Sequence, residues 1–315
     1  MEQKRIFSFS AFPYRQKITI DGFYFGDTSR KTVAVVGATR GDEYQQVLIS
    51  GLLIKRLKQL EAEGLLSSSS GIVVIPSASQ FSMNVGKRFF PVDNTDINRM
   101  FPGYDKGETT QRLADGVFKA VKDYKYGIQM ASFYLHGKFV PHVRTMYTDY
   151  QDNSIASDFG LPYFVIRHPQ PIDTTTLNYN WQIFGSTAFS LYSGFSTTID
   201  MPAAQQEVEA IIRFLVKRGV LSSRTPITEG EKTITLQDTS LKKVISAAGG
   251  FFFPIAQLGQ QVRKGDLLGR IINPVTAESS EEIYAGSDGI LFFTCSDIAV
   301  SEHTAVFGIA DTSSI

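Results

Sequence analysis

Between residues 32 and 219 short apolar runs alternate with stretches of helical period, the pattern of βαβ units around a largely parallel sheet. The run Thr32-Val33-Ala34-Val35-Val36-Gly37 predicts a buried strand, and Gly71-Ile72-Val73-Val74-Ile75-Pro76 predicts another. Between them Val47, Leu48, Leu52, Leu53, Leu57 and Leu60 recur at helical spacing, with Gly64 placed to end the helix. Leu113, Val117, Phe118, Val121 and Tyr124 mark a second helix face. Val208, Ile211, Ile212 and Leu215 mark a third, which stops near Gly219. Further strands are expected at 128–135, 162–167 and 195–200. In sheets of this kind ligands sit at the carboxyl ends of the strands, so the loops there are the place to look for chemistry.

After a polar stretch at 221–230 the character changes to short strands punctuated by Gly, Pro and Asp, with no helical period beyond about Ser246. This predicts an α/β domain over 1–230 and a compact all-β domain over 231–315. The serines at 67–70 read as a turn.

Composition adds exclusions. Lys+Arg and Asp+Glu both count 31, so no overall field steers the chain toward nucleic acid or an anionic membrane, and neither is expected as a partner. A hydrophobic fraction of 43% with 20% charged residues is that of an ordinary folded protein. No apolar run approaches the roughly 18 residues that span a bilayer, and the first residues lack the apolar stretch of a signal peptide. Cys295 is the only cysteine, which excludes an intrachain disulfide and suits a reducing compartment. A cytoplasmic protein is expected.

The loops carry Ala38-Thr39-Arg40-Gly41-Asp42-Glu43, then Arg88, then Asp96-Ile97-Asn98-Arg99-Met100-Phe101-Pro102-Gly103, then Tyr134-Leu135-His136, then Thr197-Thr198-Ile199-Asp200-Met201. In order and spacing this resembles the succinylglutamate desuccinylase and aspartoacylase family. There a Gly-x-His-Gly-x-Glu loop opens a helix and is followed by an Arg, an Asp-x-Asn-Arg-x-Phe-Pro-Gly stretch, an Asp-x-His strand end and a later Glu. The Asn98 to Gly103 stretch is the most specific element. The segments around Pro254, Gly259 to Asp266 and Ala285 to Gly289 are similar to the family's β domain. That domain resembles biotinyl and lipoyl carriers, but no modifiable Lys stands between small or Met residues at a hairpin tip, so a swinging-arm role is excluded. The resemblance implies a zinc-carboxypeptidase-like α/β fold: a mixed, mainly parallel sheet flanked by helices, plus a small C-terminal all-β, barrel-sandwich-like domain.

The family's chemistry, carried over residue by residue, puts zinc ligands at Arg40, Glu43 and His136, a general base at Asp200, and substrate-carboxylate binding at Arg88, Asn98 and Arg99, with Arg144 a weaker candidate. The metal half departs from the family. A guanidinium has no lone pair to donate and stays protonated, so Arg40 cannot ligate zinc. His142, beyond Pro141, is a candidate substitute ligand. Arg40 could instead pair with Glu43 and supply the charge of the missing cation, unless it points into solvent. Asp200 stands where the family has Glu, withdrawing the carboxylate by about 1.5 Å, a misplacement that costs on the order of a hundredfold in rate. Tyr134 stands where an Asp is usual. His168 and His303 lie in no motif, and Cys295, in a Phe-rich β segment, reads as a small buried residue.

Two functions follow from the resemblance. One is a zinc-dependent hydrolase that cleaves an amide or ester bond of an N-acyl amino acid or small peptide-like substrate. The other is a metal-free homologue that binds a small carboxylate-bearing ligand without the chemistry. A homo-oligomer is open in either case.

Overall fold

All six residues of Val33–Ala38 are buried, which a strand permits only where both faces of its sheet are covered. The computed structural model shows what covers them, and it describes residues 1–10, 12–14, 17–133, 136–195 and 197–311 of the chain.

In chain order the first part comprises β1 (Glu2–Ser10), β2 (Lys17–Gly26), β3 (Val33–Ala38), α1 (Tyr44–Ala62), β4 (Gly71–Ser77), α2 (Gln80–Asn84), α3 (Thr109–Val121), β5 (Tyr126–Met130), β6 (Gly137–Met146), β7 (Tyr163–Arg167), α4 (Leu177–Ile183), β8 (Thr187–Gly194) and α5 (Met201–Lys217). The second part comprises β9 (Ile234–Gln237), β10 (Leu241–Ile245), β11 (Gly250–Pro254), β12 (Gln261–Val262), β13 (Leu267–Ile272), β14 (Ser279–Tyr284), β15 (Gly289–Cys295), β16 (Ala299–Val300) and β17 (Ala305–Ala310). One large mixed sheet runs in the order β1-β2-β4-β3-β5-β8-β6-β15-β17-β10. Its centre, β4-β3-β5-β8, is parallel, and β7 and β9 continue in parallel from β6. Val33, Val35, Ile72 and Val74 face a core built with α1 and α5, whereas Ala34, Val36, Val73 and Ile75 face one built with α3 and α4. The alternation of two along each strand thus feeds a different helical layer on each side. The expected mainly parallel sheet flanked by helices is what forms.

A second, antiparallel sheet, β14-β13-β11-β16, packs on the far end of the first. Phe252, Leu268, Ile271 and Ile283 from it meet Leu291, Phe292, Val306 and Phe307, and the Phe252 and Phe307 rings lie 5.2 Å apart. The join between the two parts is β6. Its start pairs with β15, Phe139 opposite Phe293, and its later residues pair with β7 on one side and β8 on the other. Pro141, which has no N–H to give, sits where the β6–β8 register shifts between Phe139 and His142.

Two local expectations change. The strand expected at 195–200 lies earlier, at Thr187–Gly194. Its serines hide the apolar run, and Gly194 at φ +60° ends it. The strand expected at 128–135 is shorter, Tyr126–Met130, and Tyr134 and Leu135 fall outside the described residues. The hairpin of β1 and β2, and β6 itself, go beyond the sequence reading. No helix among the described residues is long and apolar enough to cross a membrane.

Glu207 on α5 is buried against β8, where Ser193 Oγ donates to its Oε2. Burial pushes its carboxyl up to about 7, against the lowering effect of that hydrogen bond. The folded value lies above the unfolded one, so the native state holds a proton that the unfolded chain releases. Stability from this group therefore falls as pH rises from the ordinary glutamate range to about 7, and is level beyond. Denaturant titrations of the wild type and Glu207→Gln from about pH 5 to about pH 8 should show the wild type losing on the order of 3 kcal/mol relative to the variant.

Candidate functional site

The loop after β3 turns into α1 through residues 39–43, and Glu43 occupies the position just before the helix without capping it by its side chain. Its carboxylate folds back: Oε2 accepts from the backbone N–H of Thr39 (2.7 Å) and of Arg40 (3.0 Å). Such a tight return needs a glycine inside it. A Cβ on Gly41 would stand 2.1 Å from the carbonyl oxygen of Lys87. The other oxygen, Oε1, accepts from Arg40 Nη1 at 3.0 Å and from Ser132 Oγ. Glu43 is fully buried and each oxygen has at least two donors.

Arg40 is 5% exposed and points inward. Its Nε and Nη2 donate to Asp96 Oδ2 at 3.0 and 2.9 Å. Asp96 Oδ1 in turn accepts from Asn98 N (2.9 Å), capping the 3-10 turn Ile97–Arg99. One guanidinium therefore ties the α1 loop to the Asp96 loop. Burial by itself would lower its pKa, but the carboxylates of Glu43 and Asp96 outweigh burial and raise it. Asp96 and Ser132 were not among the site residues read from sequence. Asp96 stands inside the quoted motif, while nothing in the sequence marks Ser132.

The second cluster is built on Arg88. Its Nη1 lies 2.7 Å from Asp42 Oδ2, and its Nη2 donates to the carbonyl of Phe133 at 3.2 Å. Asp42 Oδ2 is 3.5 Å from His136 Nε2, while His136 Nδ1 is 3.0 Å from Asp297 Oδ1, in the loop after β15. His136 thus reaches across to the second part of the chain. His142 lies elsewhere, fully buried and stacked on Tyr192 with ring centroids 5.0 Å apart. Burial first, then nearby Arg144, hold its ring well below its ordinary pKa, so it is neutral. Its Nδ1 donates to the carbonyl of Val140 at 2.8 Å. Asp200 caps α5 by accepting from Ala203 N at 3.1 Å and pairs with Lys138 at 2.6 Å. Burial would raise its pKa, but Lys138 and the Ala203 N–H keep it below the usual carboxylate range.

These groups do not fit a zinc ion. A guanidinium stands at the first ligand position, both oxygens of Glu43 are engaged by donors, and His136 faces carboxylates at both nitrogens, Asp297 at 3.0 Å and Asp42 at 3.5 Å. Among the described residues no group of three His, Cys, Asp or Glu side chains is arranged to hold a metal.

Beside Arg40 lies a cavity of about 300 Å³, at the seam between the two parts of the chain. Of the site residues read from sequence, Arg40, Asn98, Arg99 and Arg144 line it; Glu43, Arg88, His136, His142 and Asp200 do not. Asn98 Oδ1 is held by Gln129 Nε2 (3.1 Å) and Leu177 N (3.3 Å). Arg99 donates to the carbonyl of Ile172 at 2.9 Å and lies 3.7 Å from Asp173, which Arg167 also grips at 2.9 Å. Phe139, Tyr192, Phe292, Phe293 and Phe307 form an aromatic wall, and Lys242 and Lys243 of β10 stand at the cavity as well. The C-terminal strands therefore supply part of its lining. A larger groove of about 550 Å³ lies between β1 and α3, away from these residues. Cys295 is buried, and burial pushes its thiol up.

Arg40→Ala leaves the buried carboxylate of Glu43 and the part-buried one of Asp96 without their cation, and removal of one partner of such a group costs about 3–5 kcal/mol. Thermal unfolding should show a large drop in Tm, and a smaller one for Arg40→Lys, which keeps the charge and loses the fork.

A family model of the succinylglutamate desuccinylase/aspartoacylase catalytic domain matches residues 29–216. The chain is similar to an N-alpha-acetyl-L-2,4-diaminobutyric acid deacetylase of Halomonas elongata, 22% identical over 273 residues that cover 82% of this chain and 76% of that protein. Among solved structures it is similar to the product-bound ectoine utilization protein EutE (DoeB) from Ruegeria pomeroyi, with a TM-score of 0.80 and 20% identity over 94% of this chain and 90% of that one. It matches a succinylglutamate desuccinylase/aspartoacylase from Rhodobacter sphaeroides with a TM-score of 0.80 and 20% identity over 98% and 95% of the two chains. At these identities the structural likeness speaks for the fold, whereas the family model spans more than half of the sequence. The chain belongs to the succinylglutamate desuccinylase/aspartoacylase family.

Proposed function

We propose that this protein takes a small N-acylated amino acid into the cavity at the seam and holds it by its carboxylate on Arg144. The observation that supports this is a difference among the arginines of the site. Arg40, Arg88, Arg99 and Arg167 each have a carboxylate of the protein within 4 Å. Arg144 has none among the described residues, and its buried Nε has no hydrogen-bond partner there. Its guanidinium instead lies over the Tyr192 ring, 4.6 Å from the centroid. A half-buried guanidinium of this kind is completed by a carboxylate bound through two parallel hydrogen bonds. The aromatic wall beside it suits an acyl group or an apolar side chain. Ligand class and family agree here, since a relative in the family is a deacetylase of an N-acetylated amino acid.

A second reading adds cleavage of the acyl amide, and the match of the family's catalytic domain favours it. Release of free amine from N-acetyl and N-succinyl amino acids separates the two readings: release supports the second, whereas saturable binding without release leaves the first alone.

Calorimetric titration with an N-acyl amino acid tests the anchor. Arg144→Ala should weaken binding by about ten- to a hundredfold, the worth of a charge-assisted hydrogen bond. The uncharged amide analogue should bind the wild type equally poorly and lose nothing further in the variant. Equal loss of acid and amide in the variant would remove Arg144 as the carboxylate anchor.

A further inference from the structure

We infer that Arg40 is the resident cation of this site, its guanidinium supplying the positive charge that the family resemblance gives to zinc, so that the site is assembled without a metal. The inference does not depend on which ligand the cavity takes.

Three features carry it. The first is the donor chemistry at Glu43. A zinc-ligating carboxylate needs an oxygen turned to the metal, but Oε2 here accepts from two backbone N–H groups and Oε1 from Arg40 and Ser132. A zinc ion would displace at least one of those pairs.

The second is the charge of the cluster. Arg40 is buried between Glu43 and Asp96 and bonds both. A divalent cation at Glu43 would have to share that space with a guanidinium that cannot deprotonate. The repulsion between them is largest where water is excluded.

The third is position. Arg40 also lines the cavity, and three of the five N–H groups of a guanidinium suffice for the bonds to Glu43 and Asp96. The remaining two are donors that a carbonyl or carboxylate oxygen in the cavity can use. A fixed cation with spare donors at the cavity wall offers oxygen recognition but has no coordination position at which to bind and deprotonate water. His136 accords with this division. Its two nitrogens face Asp42 and Asp297, and its ring is 39% exposed.

The test is metal content and its consequence for stability, on the full chain purified without an affinity tag. The protein is dialysed against a small excess of zinc, then against metal-free buffer, and measured by plasma mass spectrometry. The expected result is no stoichiometric zinc, with the same Tm in zinc and in chelator. Zinc retained at about one per chain and lost in Glu43→Gln or His136→Ala would overturn the inference. Zinc retained equally by the wild type and both variants lies at another site and upholds it. Arg40→Lys gives a second reading that does not depend on the Glu43 variant folding. Because it keeps the cation, its Tm should be lower than that of the wild type and indifferent to zinc, whereas a zinc-dependent rise in both proteins that His136→Ala abolishes would overturn the inference. Ligand titration is a separate measurement, so failure of the carboxylate anchor and failure of the metal-free site are read independently.

Discussion

The guanidinium of Arg40 between Glu43 and Asp96 is the interaction on which the site depends. The Glu43 carboxylate folds the α1 loop onto itself through two backbone N–H groups, and Asp96 caps the turn that carries Asn98 and Arg99. Each carboxylate is burdened by burial and relieved by the same cation. The bonds to Arg40 have directions as well as charge, because the fork is planar and its donors are fixed in space. They therefore set the distance between two loops that arrive from different strands.

A second constraint comes from β6. A strand offers two edges, and β6 divides them among three neighbours, with β15 beside its start and β7 and β8 beside its later residues. This makes the C-terminal β part an extension of the large sheet. Phe139 packs on Phe293 with ring centroids 4.7 Å apart, and the loop after β15 brings Asp297 to His136. The cavity wall is consequently a product of both parts, with Lys242, Phe292 and Phe307 contributed from beyond residue 230.

The electrostatics of the site divide in two. Most cations here are neutralised by carboxylates of the protein and serve to position loops. Arg88 with Asp42, Arg167 with Asp173 and Lys138 with Asp200 are of this kind. Arg144 differs in being covered by an aromatic ring, which attracts a cation without cancelling its charge. Since a ligand's carboxylate is drawn to charge that is still unmatched, pairing within the protein decides which of several similar arginines can recognise it. That pairing is a property of three-dimensional neighbours.

Much of the fold was legible along the chain. The strands at Val33–Ala38 and Gly71–Ser77 and the helices α1, α3 and α5 follow from apolar runs and helical period alone, because both faces of a covered sheet must be apolar. The strand Thr187–Gly194 was displaced in the sequence reading because serines interrupt its apolar pattern, and β6 is obscured by Pro141 and by polar Lys138, His142 and Arg144. The motifs located Arg40, Asn98 and Arg99 on loops that do converge, and the chemistry of a guanidinium already excluded Arg40 as a ligand. Sequence alone did not say where Arg40 would point, that Glu43 would be engaged by five donors, that Arg88 would be taken by Asp42, or that Arg144 would be left without a carboxylate. Residue type fixes which bonds a side chain can make and the local pattern fixes its element. Which partners it meets depends on segments far apart in the chain packing together, and only the tertiary structure decides that.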